Sequence, residues 1–282
     1  MRNGLALVAL AGVVGAGVAL GAAAAADPGV DEIVAAARSA DIVILGEIHD
    51  NPAHHATQAK VVAALRPDAL VFEMIPQALE DEVNTLREEG ATREALAAAL
   101  DWSKSGWPDF AYYAAILEAA PEARVFGAGQ PREDVRRAVE EGAAVAFGPD
   151  AATYGLDRPL AADDLAAREA DMQASHCDKL PPEMLPGMVE AQRFRDAGLA
   201  DAALWARTMT GDGRVVVIAG SGHADRVRGV PAALGIADPD LSVLSVGQFE
   251  AEPDTPGAYD LLLLAPAPDR DDPCATLDMP RG

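Results

Sequence analysis

The chain has 282 residues, half of them hydrophobic, and a formal net charge of −23 at neutral pH. Nucleic acids and anionic membrane surfaces bind clustered lysine and arginine, so a chain this acidic is not expected to bind either of them. The length is enough for one large domain, or two small ones, with a substantial hydrophobic core.

The first 26 residues have the features of a secretory signal peptide. Arg2 supplies a positive charge, an apolar stretch runs from Leu5 to Leu20, and small residues near Ala24 offer a cleavage site. The alternative is a permanent membrane anchor, but the stretch is rich in small residues and a span needs about 20 strongly apolar ones. We therefore expect residues 1–26 to be removed on export, which leaves a soluble chain.

Strands and helices alternate along the rest of the chain. Short apolar runs predict six strands, at residues 41–47, 68–76, 123–129, 214–219, 241–247 and 259–266. Helical patterns lie between them at 52–65, 77–88, 92–100, 108–119, 131–142 and most of 160–209, and the fourth strand is predicted to turn directly into a helix.

This alternation predicts an α/β fold with three layers, in which helices flank a mostly parallel central sheet. We expect a single domain over residues 27–266, in which the helical stretches at about 77–120 and 160–209 are either insertions or a cap over one edge of the sheet. The segment 267–282 is rich in proline and aspartate, so we expect a loose tail there.

Three of the predicted strands end in residues that can do chemistry. The first delivers Glu47 and His49, the second delivers Glu73, and the strand from Arg214 delivers His223. Ligands bind beyond the carboxyl ends of parallel strands, so these side chains are predicted to share one site. Each also has a structural interpretation: a helix cap or ion pair for the glutamates, and an ordinary loop position for the histidine.

Other histidines and the two cysteines are further candidates. His54 and His55 lie in the first turn of a predicted helix, where the helix dipole favours the neutral imidazole that binds metals; the alternative is that they are surface residues. His176 precedes Cys177, which could ligate a metal as a thiolate or pair with Cys274 in an oxidising compartment. The sequence leaves that choice open.

Five segments in consistent order resemble a known family: "LGEIHDNPAHHATQ", "VFEMIPQ", "WSKSGWPDFAYYAAIL", "HCDKLPPEMLPGMVEAQRFRDAGLA" and "VIAGSGHADRVRGVP". From about Asp41 to Pro231 the chain resembles the ChaN-type haem-binding uptake proteins, within the TIKI/erythromycin-esterase-like superfamily. The resemblance implies a three-layer α/β domain with a helical part and a role in iron acquisition. Members are often lipoproteins, but this chain has no lipobox cysteine, so we expect a soluble periplasmic protein.

The resemblance implies a haem-binding site, and haem iron needs an axial ligand such as tyrosine or histidine. The family's use of tyrosine makes Tyr113 our first candidate. Arginine pairs well with carboxylates, so Arg195 and Arg226 could bind the haem propionates. The predicted haem-binding residues are His49, His54, His55, Tyr113, His176 and Arg195.

The alternative function is a hydrolase, because enzymatic members of the superfamily use paired glutamates and a G-x-x-H motif for hydrolysis. Glu47, Glu73 and His223 would then be catalytic. A divalent metal such as zinc or manganese could be held by Glu47, His49 and His223 and would lower the pKa of a bound water. Haem binding is the preferred interpretation, and a homodimer is also considered.

Overall fold

The computed structural model describes Met1 and residues 28–276. The predicted signal peptide therefore lies outside the described residues apart from Met1, as do residues 277–282 of the predicted tail. Within the described part of the chain, no helix is long and apolar enough to cross a membrane.

A six-stranded sheet forms the centre of the domain. Its strand order is β3-β2-β4-β1-β5-β6, and every neighbouring pair is parallel. The predicted α/β class with a mostly parallel sheet is confirmed. The strands are β1 (Ile42–Glu47), β2 (Ala69–Pro76), β3 (Arg124–Gly129), β4 (Val215–Gly220), β5 (Val243–Phe249) and β6 (Leu261–Leu264).

Twelve α-helices accompany the sheet within the described residues. They are α1 (Pro28–Ala36), α2 (Pro52–Leu65), α3 (Glu80–Glu88), α4 (Arg93–Ala99), α5 (Trp102–Ser105), α6 (Phe110–Ala119), α7 (Arg132–Glu141), α8 (Ala143–Phe147), α9 (Ala162–Ser175), α10 (Leu185–Met209), α11 (Val230–Ala237) and α12 (Pro273–Thr276). Helices α1, α8 and α12 lie outside the helical segments predicted from the sequence.

Successive side chains of each strand point to opposite faces, and this builds two hydrophobic cores. Val43 and Leu45 of β1 face one core, which contains side chains of α1, α2 and α6. Ile42 and Ile44 face the other core, which contains side chains of α7, α8, α10 and α11. The two predicted helical insertions thus contribute to opposite faces, since α3–α6 pack in the first core and α10 in the second.

The chain reverses its direction of travel across the sheet between β1 and β4. From β1 it passes through α2 on one face to β2, and from β4 it passes through α11 on the other face to β5. Adjacent connections that leave in opposite directions open a crevice at the carboxyl ends of their strands, which is where open α/β sheets bind ligands.

The prediction that β4 turns directly into a helix is wrong. A short 3₁₀ turn covers Ser221–Ala224, and α11 begins only at Val230. Asp225 accounts for the delay, because its side chain accepts hydrogen bonds from the backbone N–H groups of Val227 and Arg228, and its carbonyl accepts one from Gly229. These bonds stabilise a turn in place of a first helical turn.

The described part of the C-terminal segment is attached to the domain. Cys274 forms a disulfide with Cys177, 97 residues earlier, in the connection between α9 and α10. Arg270 forms ion pairs with Asp50 and Glu250. The disulfide settles the alternative that the sequence left open, since Cys177 is not a free thiol.

Candidate functional site

A cleft of about 940 Å³ lies at the carboxyl edge of the sheet. This volume is within the range of small-molecule sites, roughly 300–1,000 Å³. The lining comes from the ends of β2 and β3, the start of α7, one side of α10 and the segment around α5. Its chemistry-bearing side chains are His49, Glu73, Lys104, Arg132, Gln192, Arg195 and His223.

The first cluster in the site is built on Glu47, at the end of β1. Glu47 is buried, and its Oε1 accepts hydrogen bonds from the Tyr113 hydroxyl at 2.8 Å and from His49 Nδ1 at 2.9 Å. Donation from Nδ1 leaves Nε2 of the half-buried His49 as the outer nitrogen, and it makes no hydrogen bond with the described residues. Burial lowers the pKa of His49, but the hydrogen bond with Glu47 and the charges of Glu73 and Glu47 outweigh it, so the pKa is raised.

His55 lies behind this cluster. Its Nε2 donates to the carbonyl oxygen of His49 at 2.8 Å, and its Nδ1 lies 3.3 Å from Glu47 Oε2. The latter contact is favourable only when one of its two atoms carries a proton, since two lone pairs would otherwise face each other. The ring of His55 is stacked on Tyr112 with centroids 4.9 Å apart.

The second cluster joins Glu73, His223 and Asp196. Glu73 Oε2 accepts from the Gly220 backbone N–H at 2.9 Å, and Oε1 lies 3.3 Å from His223 Nε2. The opposite nitrogen of His223, Nδ1, lies 2.6 Å from Asp196 Oδ1. An imidazole ring is thereby held between two carboxylates.

The charges of this second cluster follow from its geometry. Burial disfavours the imidazolium of His223, but Glu73 and Asp196 outweigh it and raise the pKa of His223 to about 10. Burial also opposes ionisation of Glu73, yet the His223 charge and hydrogen bond, with smaller contributions from His49 and Gly220, lower its pKa to about 2. The pKa of Asp196 is raised, because the effect of burial is larger than the opposing effects of the His223 charge and the hydrogen bond with His223.

The two clusters approach each other over Gly220. A Cβ atom at this glycine would lie 3.0 Å from His49 Nε2 and 3.8 Å from Glu73 Oε2. Because Gly220 has no side chain, the His49 ring can lie close to the backbone there, on the floor of the cleft.

The region that carries this cleft matches a known family. Residues 33–234 match the family model described as haem-binding uptake, Tiki superfamily, ChaN. The chain belongs to this ChaN family. The family resemblance drawn from the five sequence segments is therefore confirmed.

Solved structures share the fold. ChaN of Campylobacter jejuni, which was described with cofacially bound haem, aligns with a TM-score of 0.62 at 20% identity, over 80% of this chain and 88% of that chain. The type III effector HopBA1 aligns with a TM-score of 0.46 at 13% identity, over 84% of this chain and 94% of that chain. No curated protein sequence matches.

In this ChaN family member the predicted site residues fall into three groups. The cleft is lined by His49, Glu73, Arg195 and His223. Three others lie beneath it in the packed interior: Glu47, His55 and Tyr113. Tyr113 does not line the cleft, because its side chain is fully buried and its hydroxyl donates to Glu47.

The third group lies away from the cleft. His54 is buried, and its Nδ1 accepts a hydrogen bond from the Ile48 backbone N–H at 2.9 Å. Burial lowers the pKa of His54, so the ring is held neutral. His176 donates to the Met172 carbonyl at 2.8 Å, beside the disulfide. Arg226 pairs with Asp260.

The predicted metal site of Glu47, His49 and His223 finds no support. Among residues 28–276, no group of three or more histidine, cysteine, aspartate or glutamate side chains is arranged to hold a metal ion. The contacts explain why, since Glu47 Oε1 already accepts two hydrogen bonds and both nitrogens of His223 face carboxylates.

Asp196 was not predicted as a site residue, although it completes the second cluster. A signal for it was present in the sequence. "DAGLADAAL" places Asp196 beside a run of small and apolar residues on α10, where a buried carboxylate needs a partner. That the partner is His223 could not be read locally, because 27 residues separate the two.

Proposed function

We propose that this protein binds haem in the cleft and takes part in haem or iron uptake. Family membership and the fold shared with the haem-bound ChaN of Campylobacter jejuni support this function. The observation that carries it is a cleft of about 940 Å³ with an unbonded histidine nitrogen on its floor.

The residues present fit a haem group. Its macrocycle is flat and apolar, and the cleft offers apolar contact from Met74, Leu100, Trp107, Val135 and Leu199. The propionates are anionic, and cationic side chains line the same cleft. When bound, haem would supply a redox-active iron.

His49 is our candidate for the iron ligand. Proteins hold haem iron through histidine, tyrosine, methionine or cysteine thiolate. Both cysteines are in the disulfide, and His223 has a carboxylate at each ring nitrogen. The pKa of Tyr113 is raised, mainly by burial and further by the charge of Glu47 and the hydrogen bond with Glu47. The raised pKa disfavours ionisation of Tyr113 to the tyrosinate that would bind iron.

Glu47 would act as a positioning residue for His49. It accepts the Nδ1 proton and so leaves the Nε2 lone pair for the ligand. A carboxylate that accepts from the second ring nitrogen fixes the tautomer of a metal-binding histidine and raises its basicity. Tyr113 and His55 in turn hold the Glu47 carboxylate.

We further propose that the protein is exported to the periplasm and forms a homodimer there. The signal-like features of residues 1–26 and the disulfide, which is typical of oxidising compartments, support export. The homodimer is a prediction that size-exclusion chromatography with and without haemin would test.

The hydrolase alternative is not favoured by the second cluster. A general base works best when its pKa lies near the working pH. With a pKa of about 10, His223 is protonated at neutral pH. Glu73, with a pKa of about 2, is a weak base there.

A haemin titration followed by visible absorption tests the proposed function. We expect a saturable Soret shift for the wild-type protein, for Tyr113→Phe and for the control His176→Ala, whose ring lies outside the cleft. His49→Ala should weaken binding and change the shape of the band. A wild-type protein without a saturable shift would refute haem binding, whereas loss in Tyr113→Phe alone would exclude His49 as the ligand.

A further inference from the structure

The turn between β1 and α2 carries His49, the candidate iron ligand. Residues 48–51, here named the ligand turn, are closed by a hydrogen bond of 2.9 Å from the Asn51 backbone N–H to the Ile48 carbonyl. Asn51 is buried, and its side-chain oxygen accepts from the Ala53 backbone N–H as the N-cap of α2. Asn51 therefore fixes both the end of the ligand turn and the start of the helix.

The segment that follows β6 crosses the molecule beside the ligand turn. Residues 265–276, here named the C-terminal strap, leave the sheet where the Ala265 backbone N–H donates to the Phe249 carbonyl. The strap ends at α12, where Cys274 forms its disulfide with Cys177 in the connection between α9 and α10. One segment thus connects the edge of the sheet with the start of α10, the helix that forms one wall of the cleft.

Between its two ends the strap binds the ligand turn. The side-chain amide of Asn51 donates to the Pro266 carbonyl at 3.0 Å and to Glu250 Oε1 at 2.9 Å. Arg270 donates to Asp50 Oδ1 at 3.0 Å, and its two terminal nitrogens bind the two oxygens of Glu250 at 2.8 and 2.6 Å. A carboxylate bound in this paired way is held in one orientation. Arg270 therefore holds Asp50 directly and Asn51 through Glu250.

We propose that the C-terminal strap positions the ligand turn and that its disulfide makes the affinity for haem depend on redox state. The inference rests on the proposed haem function and deepens it, since it adds a positioning element and a means of regulation to the same site. While the disulfide is intact, Cys274 fixes the end of the strap and Arg270 stays against the ligand turn.

The bond would be opened by a dithiol reductant through thiol–disulfide exchange. The S–S bond breaks, Cys177 and Cys274 each become a thiol, and the dithiol gives up two electrons and two protons as it closes to a disulfide. The strap then keeps only its noncovalent contacts, and the ligand turn presents His49 in a smaller fraction of the molecules. Apparent affinity falls in proportion to that fraction.

Haemin titrations followed at the Soret band test the inference. The protein is reduced with dithiothreitol, its thiols are alkylated with iodoacetamide, and both reagents are removed, so that no added thiol reaches the haem iron. Cys177→Ser/Cys274→Ser gives the opened state without reagents. Both forms should bind haemin about tenfold more weakly than the oxidised wild type, as loss of one hydrogen bond to a charged group implies, and with a changed Soret band.

Arg270→Ala tests the strap without altering the disulfide. It should also weaken haemin binding about tenfold, and Arg270→Lys, which keeps the positive charge, should restore part of the affinity. The matched control is Arg93→Ala, because Arg93 forms a similar paired contact with Glu118 outside the cleft and should leave haemin binding unchanged. Arg270 is exposed, so its variant keeps the test sound if the cysteine variant fails to fold.

The combined variant shows whether the disulfide and Arg270 act through the same strap. Arg270→Ala together with Cys177→Ser/Cys274→Ser should weaken binding hardly more than either change alone, because effects that share one route are not additive. Fully additive losses would refute the coupling. An effect of Arg270→Ala with no effect of opening the disulfide would overturn the redox dependence.

The outcomes separate this inference from the proposed function. If the wild type binds haemin and neither the opened disulfide nor Arg270→Ala changes the affinity or the Soret band, the strap does not position the ligand turn, while haem binding stands. If the wild-type protein does not bind haemin, both proposals fail.

Discussion

Replacing His223 with alanine removes the positive charge between Glu73 and Asp196. The two ring nitrogens of His223 lie 3.3 Å from Glu73 Oε1 and 2.6 Å from Asp196 Oδ1. The variant would leave two carboxylates in the interior with no cation between them. Removing one partner of a buried ion pair typically costs about 3–5 kcal/mol, and we expect a loss of that size in the free energy of unfolding.

The loss should depend on pH in a defined way. The pKa of Glu73 is lowered from 4.5 to about 2, so its contribution is present above pH 4.5 and is lost as the pH falls through 2. The pKa of His223 is raised from 6.5 to about 10, so its contribution is complete below pH 6.5 and is lost as the pH rises through 10. The difference between wild type and variant should therefore be largest between pH 4.5 and 6.5.

Urea unfolding monitored by circular dichroism measures this difference. The titrations are run between pH 4.5 and 6.5 and repeated towards pH 10, with His176→Ala as a histidine control outside the cluster. We expect the His223→Ala deficit to shrink as the pH approaches 10, because the wild-type imidazolium loses its proton there. A deficit that stays constant over this range would show that His223 contributes packing alone and would refute the ion-pair argument.

Two further predictions concern the cleft floor and the disulfide. Gly220→Ala would place a Cβ atom 3.0 Å from His49 Nε2 and should weaken haemin binding. Gly222→Ala is the control, because its added Cβ atom would have no neighbouring atom within 4 Å, and it should leave haemin binding unchanged. Equal effects of the two variants in a haemin titration would contradict this prediction. Replacing Cys177 and Cys274 with serine opens a loop with a sequence separation of 97. The chain-entropy model of disulfides predicts a loss of up to about 4–5 kcal/mol in the free energy of unfolding for a loop of this length. A reductant should therefore lower the urea midpoint of the wild type but not of the double variant, and an unaffected wild type would argue against a stabilising bond.

The fold was largely predictable because it depends on local patterns. All six strands are present near their expected positions, since short, nearly continuous apolar runs are typical of strands in a parallel sheet that is covered on both faces. The helix expected directly after β4 is absent because the Asp225 side chain accepts backbone hydrogen bonds that stabilise a turn. Hydrophobic periodicity does not reveal such side-chain hydrogen bonds, so it could not predict this turn.

The site was predictable where strand ends determine it. Glu47, His49, Glu73 and His223 were expected at one edge of the sheet, and the structure brings them there; their roles remain predictions. Residues on helices were harder to assign. Tyr113 was expected to face the ligand, but the rotation of α6 turns it towards Glu47, and rotation is decided by tertiary packing.

The disulfide also divides the site between two parts of the chain. Residues 177–274 form a covalently closed ring that contains Asp196 and His223, while Glu47, His49 and Glu73 lie outside it on the preceding segment. Contacts across the cleft floor, including His223 with Glu73 and the Gly220 amide with Glu73, join the ring to that segment. One backbone cut inside the ring, for example in the α10–α11 region, therefore leaves both fragments joined by the disulfide and does not release half of the binding site.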